Sequence, residues 1–325
     1  MSSDTLGKER NGEWETSDGT REGVVCGTEG AKLYLVANGP PRRPGQPVVI
    51  FEAGLGVSSV CWTAVQRLLD KRIRSYRYDR AGYGHSPASA AARTATNMAA
   101  ELLDVLRTAG VSAPYIIVAH SYGGIIAREF MAAAGPDAIS GMVLVDANQE
   151  NTHPQLRVPF AAIEGLCGGR NYLDVIGFKR DNRYTPEELG RLSLDESVST
   201  ARSTEASEGA LILDSSTALG AKLQLETQPL GLRPVTVIRG DAGRDFRCLL
   251  AAAQDGKYGT RENVAEMNEF LTHRFDAFDC DLQKQQLRLS GNSRFVQAAN
   301  SGHAVMGTEP ELVAEEILGI WQNSI

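Results

Sequence analysis

The sequence predicts an α/β domain: a mostly parallel central sheet flanked by helices, with a helical segment inserted between two strands. Three observations carry this. Short, wholly apolar runs recur along the chain, the pattern of strands buried on both faces of a parallel sheet. Helix-like stretches with apolar residues on one face separate these runs, which implies right-handed crossovers. The alternation lapses after Asp146 and resumes at Val235.

Residues 1–22 are polar and charged, without the apolar stretch of a secretory signal, and are expected to form a disordered leader. From Gly23 to Gly39, Val24-Val25 and Leu33-Tyr34-Leu35-Val36 flank a polar turn and read as a hairpin. Pro40, Pro41, Pro44 and Pro47 break the chain. Val48-Val49-Ile50-Phe51 is the first buried strand, closed by Gly54 and Gly56. A helix around Val60–Leu69 precedes a strand over Ile73–Tyr78. The next helix, about Asn97–Thr108, sets Met98, Leu102, Val105 and Leu106 on one face and stops at Gly110. Tyr115–Ala119 is a strand, Ser121–Ala134 a helix and Met142–Val145 a strand.

Residues 149–232 lack strand character and carry helix starts such as Thr185-Pro186-Glu187-Glu188. Val235–Ile238 resumes the sheet, 241–290 is again helical, Arg294–Ala298 is the last strand, and a helix over Pro310–Trp321 closes the chain. The expected organisation is a leader (1–22), a core (23–148 and 233–325) and a helical lid (149–232).

Composition narrows the function. The 325 residues carry 33 Lys and Arg against 40 Asp and Glu, a net charge of −7. A mildly acidic chain lacks the positive field that nucleic acids and anionic membranes select, so neither is an expected partner. No apolar run approaches the roughly 18 residues of a membrane span. The five cysteines are scattered and contain no C-x-x-C pair, as expected of reduced thiols in a cytoplasmic protein. The Cys and His spacing matches no zinc site, and neither a metal nor an organic cofactor is expected. The expected partner is a small-molecule substrate.

The sharpest motif is Val118-Ala119-His120-Ser121-Tyr122-Gly123-Gly124. A serine stands between a buried strand and a helix, with small residues two before and two after. A turn this tight strains the central residue, brings its two arms together, and lifts the hydroxyl clear of the sheet beside the helix N-terminus. Ser121 is therefore the expected nucleophile. The motif is G-x-S-x-G with Ala119 in the first glycine position.

With this elbow in place, the chain resembles the α/β-hydrolase fold superfamily, in particular a serine esterase or lactonase-like member with a lid. Phe51-Glu52-Ala53-Gly54-Leu55-Gly56 stands where that family places its oxyanion loop, and Tyr78-Asp79-Arg80-Ala81-Gly82-Tyr83-Gly84-His85-Ser86 is similar to its D-x-x-G-x-G-x-S stretch. Ser301-Gly302-His303 resembles the loop of its catalytic histidine. The resemblance implies His303 as general base and the backbone N–H groups of Tyr122 and Leu55 as the oxyanion hole. It implies that Asp79, Arg80 and Ser86 hold a loop rigid. The acid is open: Asp146, at the end of the strand after the nucleophile helix, is the first choice, with Asp241 and Asp245 in the post-lid loop as alternatives.

Phe160, Tyr172, Phe178 and Tyr184 are aromatics in an otherwise polar insertion, expected to face a pocket over Ser121 and bind an apolar substrate. The expected activity is hydrolysis of a carboxylic ester, lactone or thioester of a small, largely apolar metabolite. Such a reaction suits a cytosolic metabolic or secondary-metabolite enzyme. Two other readings stand beside it: a lyase, cyclase or isomerase that reuses the triad, and a non-catalytic small-molecule receptor on the same fold. A dinucleotide site at Gly54-x-Gly56-x-x-Ser59 lacks its third glycine and leaves the elbow unexplained.

Overall fold

A computed structural model describes residues 13–324. Eight strands form one sheet: β1 (Arg21–Cys26), β2 (Lys32–Asn38), β3 (Val48–Glu52), β4 (Ser75–Asp79), β5 (Tyr115–His120), β6 (Ile139–Val145), β7 (Val235–Arg239) and β8 (Ser293–Gln297). Their order is β1-β2-β4-β3-β5-β6-β7-β8. The β1–β2 hairpin and the β2–β4 pair are antiparallel, and the other pairs are parallel. This is the α/β-hydrolase fold.

The continuous apolar runs follow from burial on both faces. Along β3, Val48 and Ile50 join one core with Leu102 and Leu106 of the Ala95–Ala109 helix and Ile126 and Phe130 of the Gly123–Ala134 helix. Val49 and Phe51 join the other, with Val65 and Leu69 of the Thr63–Leu69 helix and Val313 and Ile317 of the Pro310–Gln322 helix. The period of two thus splits a single run between two helical layers.

The expected leader needs correction. Residues 1–12 lie outside the described residues, but Glu13–Thr16 forms a helical turn and β1 begins at Arg21. Trp14 is buried, and its carbonyl accepts from Arg74 Nε at 3.0 Å, Arg74 Nη2 at 2.8 Å and Tyr76 Oη at 2.7 Å. One indole can anchor a polar segment that looks featureless on average composition.

The connection between β6 and β7 carries short helices from Thr152 to Thr227, in the stretch expected to be helical. The connection between β7 and β8 carries Ala242–Gly256, Arg261–Phe270 and Asp276–Gln285. The two excursions share a core in which Leu156, Leu166 and Cys167 of the first meet Phe246, Phe270 and Phe275 of the second. Among the described residues no helix is long and apolar enough to cross a membrane.

Candidate active site

β5 ends at His120, and Ser121 turns into the left-handed region with φ of 53°. A non-glycine residue holds that conformation only where its surroundings enforce it. Here the enforcement is close packing. A Cβ on Gly123 would lie 2.6 Å from the Ala53 carbonyl oxygen, and one on Gly124 would lie 2.5 Å from that of Asn148. The helix arm of the turn thus touches the chain just after two neighbouring strands, which is why the sequence has glycine there.

The adjacent strand supplies the acid candidate. In the β5–β6 ladder His120 pairs with Val145, so Ser121 and Asp146 are the next residues of neighbouring parallel strands. Asp146 is also left-handed, with φ of 44°. Its Oδ2 lies 2.6 Å from His303 Nδ1, and its Oδ1 accepts the Gly240 N–H at 3.0 Å. Asp241 instead caps the Ala242–Gly256 helix, its Oδ1 accepting the Arg244 N–H at 3.2 Å.

Asp245 has a different task. Its buried carboxylate accepts the His303 backbone N–H at 2.8 Å. Gly302 must be glycine because a Cβ there would lie 1.9 Å from Asp245 Oδ1. On the other side, His120 Nε2 donates to the His303 carbonyl at 3.1 Å. Two buried side chains therefore hold the His303 peptide from both ends. The sequence assigns His120 no task beyond its place in the elbow motif. Its ring lies 4.5 Å from that of His303, and burial, reinforced by that neighbour, pushes its pKa well below the usual histidine value. A neutral His120 leaves room for charge on His303.

Burial of His303 disfavours its charged form, but the hydrogen bond and charge of Asp146, with the charges of Asp245 and Asp279, outweigh it and raise the pKa. Asp279 is itself paired to Arg239 Nε at 2.7 Å. A base must be neutral to accept a proton, so activity falls as pH drops through the raised pKa. Asp245→Asn keeps an acceptor for the His303 N–H and removes one raising charge. The acid limb of kcat/KM should therefore move to lower pH in Asp245→Asn, with the high-pH plateau nearly kept, as a pH–rate profile would show. An unmoved limb would rule out this electrostatic role.

The oxyanion loop approaches the elbow closely. A Cβ on Gly54 would lie 3.1 Å from Ser121 Cβ and 3.0 Å from His120 Nδ1. The Gly56 N–H is tied to Tyr83 Oη at 3.3 Å. The N–H groups of Leu55 and Tyr122 bond to no described residue. As the family resemblance implies, Asp79 braces the next loop: its Oδ1 accepts from the Ser59 N–H and its Oδ2 from the His85 N–H, both at 2.9 Å. Ser86 Oγ donates to the Asp79 carbonyl at 2.5 Å.

The four aromatics expected over Ser121 are spread over different surroundings. Phe160 is 63% exposed. Tyr172 packs beside the core shared by the two excursions. Phe178 and Tyr184 pack against Gly307, and Tyr184 Oη donates to the Cys61 carbonyl at 2.5 Å. Phe178 also lines a small cavity with Asp245, Gly302 and Ala304, beside the His303 loop. What covers the Gly54–Gly56 loop, expected to supply the oxyanion hole, is the Ser199–Ala210 helix. Thr204 sits over Gly82, Glu205 over Gly56, and Glu208 reaches Arg80. No local sequence pattern signals this contact. Among the described residues no group of three or more His, Cys, Asp or Glu side chains could hold a metal ion.

A strained serine elbow at the end of a central parallel strand, beside a strand whose aspartate pairs with a histidine, is a hydrolase-type arrangement on an α/β sheet. Comparison with known proteins agrees. Residues 49–316 match the family described as "Alpha/beta hydrolase family". An AB hydrolase superfamily protein of Gibberella zeae is 39% identical over 319 residues, covering 94% of this chain and 97% of that protein. The chain belongs to the alpha/beta hydrolase family. Among solved structures, Cfl2 from Burkholderia cenocepacia superposes with a TM-score of 0.62 at 18% identity, over 93% of this chain and 95% of that one. A thermophilic esterase from Thermogutta terrifontis does so with a TM-score of 0.57 at 18% identity, over 94% and 99%.

Proposed function

We propose that the chain is a serine hydrolase that cleaves a carboxylic ester, lactone or thioester of a small molecule through an acyl-enzyme. The observation that carries this reading is the 2.6 Å contact between Asp146 and His303 Nδ1, made on the strand beside the Ser121 elbow. A serine hydroxyl attacks only when a base takes its proton. With Nδ1 committed to Asp146, Nε2 of His303 is the nitrogen left to do so. Ser121 Oγ adds to the carbonyl carbon, and the oxyanion that forms is met by the N–H groups of Leu55 and Tyr122. His303 then protonates the leaving alkoxide or thiolate, and water enters by the same route in reverse to release the acid. Asp146 holds the histidine tautomer and stabilises the imidazolium.

The test is labelling with a fluorophosphonate, followed by a panel of p-nitrophenyl esters of graded acyl length, thioesters and lactones. The expected result is covalent label on Ser121 and turnover that this label abolishes. Turnover that persists after Ser121 is fully labelled would overturn the reading.

A further inference from the structure

We infer that Arg80 and Glu208 are positioning residues that aim the Leu55 N–H at the oxyanion, so that the hole is complete only when the Ser199–Ala210 helix is docked. This rests on the serine hydrolase reading above and extends it to residues outside the triad.

The argument begins with the guanidinium, which has five N–H donors in a fixed planar fork. Arg80 is buried, and each donor has an acceptor. Nε bonds Glu208 Oε1 at 3.1 Å. Nη1 bonds Glu52 Oε1 at 3.0 Å and the Ala53 carbonyl at 2.8 Å. Nη2 bonds the Gly54 carbonyl at 2.6 Å and Glu208 Oε2 at 3.0 Å. Two of the five therefore go to consecutive carbonyls of the oxyanion loop.

The Gly54 carbonyl belongs to the same peptide unit as the Leu55 N–H. In a planar trans peptide the two point in opposite directions. Holding the carbonyl on Arg80 turns the N–H away from Arg80. A positive charge on the carbonyl oxygen also polarises the peptide and strengthens that N–H as a donor. Tyr83 fixes the next residue, accepting the Gly56 N–H at 3.3 Å and donating to Glu208 Oε2 at 3.2 Å. The loop is thus held before and after Leu55, and Glu208 is common to both attachments.

Glu208 is 128 residues from Arg80 and fully buried. It takes two arms of the guanidinium and leaves the other donors facing the loop. Without its charge, nothing on the helix side opposes Glu52, and the fork is free to rotate off the Gly54 carbonyl. An ion pair that only fastened the helix would not need consecutive carbonyls beside the nucleophile.

The test uses the full chain and three variants: Glu208→Gln, Tyr83→Phe and, as the mildest change of Arg80, Arg80→Lys. Tyr83→Phe removes one hydroxyl and serves if the charged variants fold poorly. Active sites are counted by fluorophosphonate titration, so that kcat is per competent Ser121. Two further readouts are affinity for a trifluoromethyl ketone, whose adduct carries the oxyanion, and hydrogen exchange over residues 53–56. The expected result is a kcat per titrated site lower by about 10- to 100-fold, with KM changed by less than about threefold, since a misdirected donor is lost chiefly in the transition state. Ketone affinity should fall in parallel, and exchange over 53–56 should quicken. A kcat per site and a ketone affinity both within about twofold of the parent chain would overturn the proposal, because full preorganisation of the donor would then survive. If the parent chain shows no Ser121-dependent label or turnover, the hydrolase reading fails, and this proposal fails with it.

Discussion

Replacing Ser121 or His303 by alanine is expected to lower kcat/KM on the best ester by about 10³-fold or more, with little change in fold. Ser121 lies at the surface end of β5, and its positive φ is imposed by backbone contacts of Gly123 and Gly124, which alanine at 121 leaves in place. The two residues act as a unit: a hydroxyl without a base and a base without a hydroxyl are equally inert. The double variant should therefore be no slower than either single one within about threefold. The measurement is kcat/KM for the three variants on one substrate, with circular dichroism as the check of folding. If both single variants retained parental turnover, the chemistry assigned to the elbow would be wrong.

Asp146→Asn should cost on the order of 10²- to 10⁴-fold in kcat, whereas Asp241→Asn should remain within about threefold of the parent chain. The asparagine at 146 can still accept the Gly240 N–H that now sits 3.0 Å from Asp146 Oδ1. Its amide, however, would present a donor to His303 Nδ1, forcing the proton to Nε2 and closing the nitrogen that must receive the serine proton. Asp241 works as a helix cap through its Oδ1, and asparagine caps about equally well. The opposite ranking, with Asp241→Asn inactive and Asp146→Asn normal, would move the acid to the loop after β7.

The parts of this architecture that sequence reveals are those decided by local pattern. β3, β5, β6 and β7 are legible because a strand buried on both faces cannot hide its apolar run, and the Val118–Gly124 elbow is legible because its small residues are sterically required. The acid was narrowed to three aspartates; within one sequence their separation could not show which carboxylate meets His303, 157 residues downstream of Asp146. Trp14 was lost in a polar segment because one side chain does not change a window average. Where each aromatic of the insertion packs is not legible, because packing among short helices leaves little periodic signal. Arg80 was read as bracing a loop, but its second carboxylate comes from a segment with weak amphipathic character, and chain-distant ion pairs leave no mark in either neighbourhood.

The placement of Ser121 and Asp146 at the tips of paired strands has a consequence for how the chain becomes competent. The central ladder registers these two residues side by side, with a single helical crossover between their strands. His303 comes from beyond β8, at the sheet's far edge, with both helical excursions, packed on one another, between it and Asp146 in the chain. On the proposed mechanism, turnover therefore reports the docking of the His303 loop and not the pairing of β5 with β6. Refolding followed by activity will lag refolding followed by secondary structure, and a nascent chain halted short of its final loop holds a serine without the means to use it.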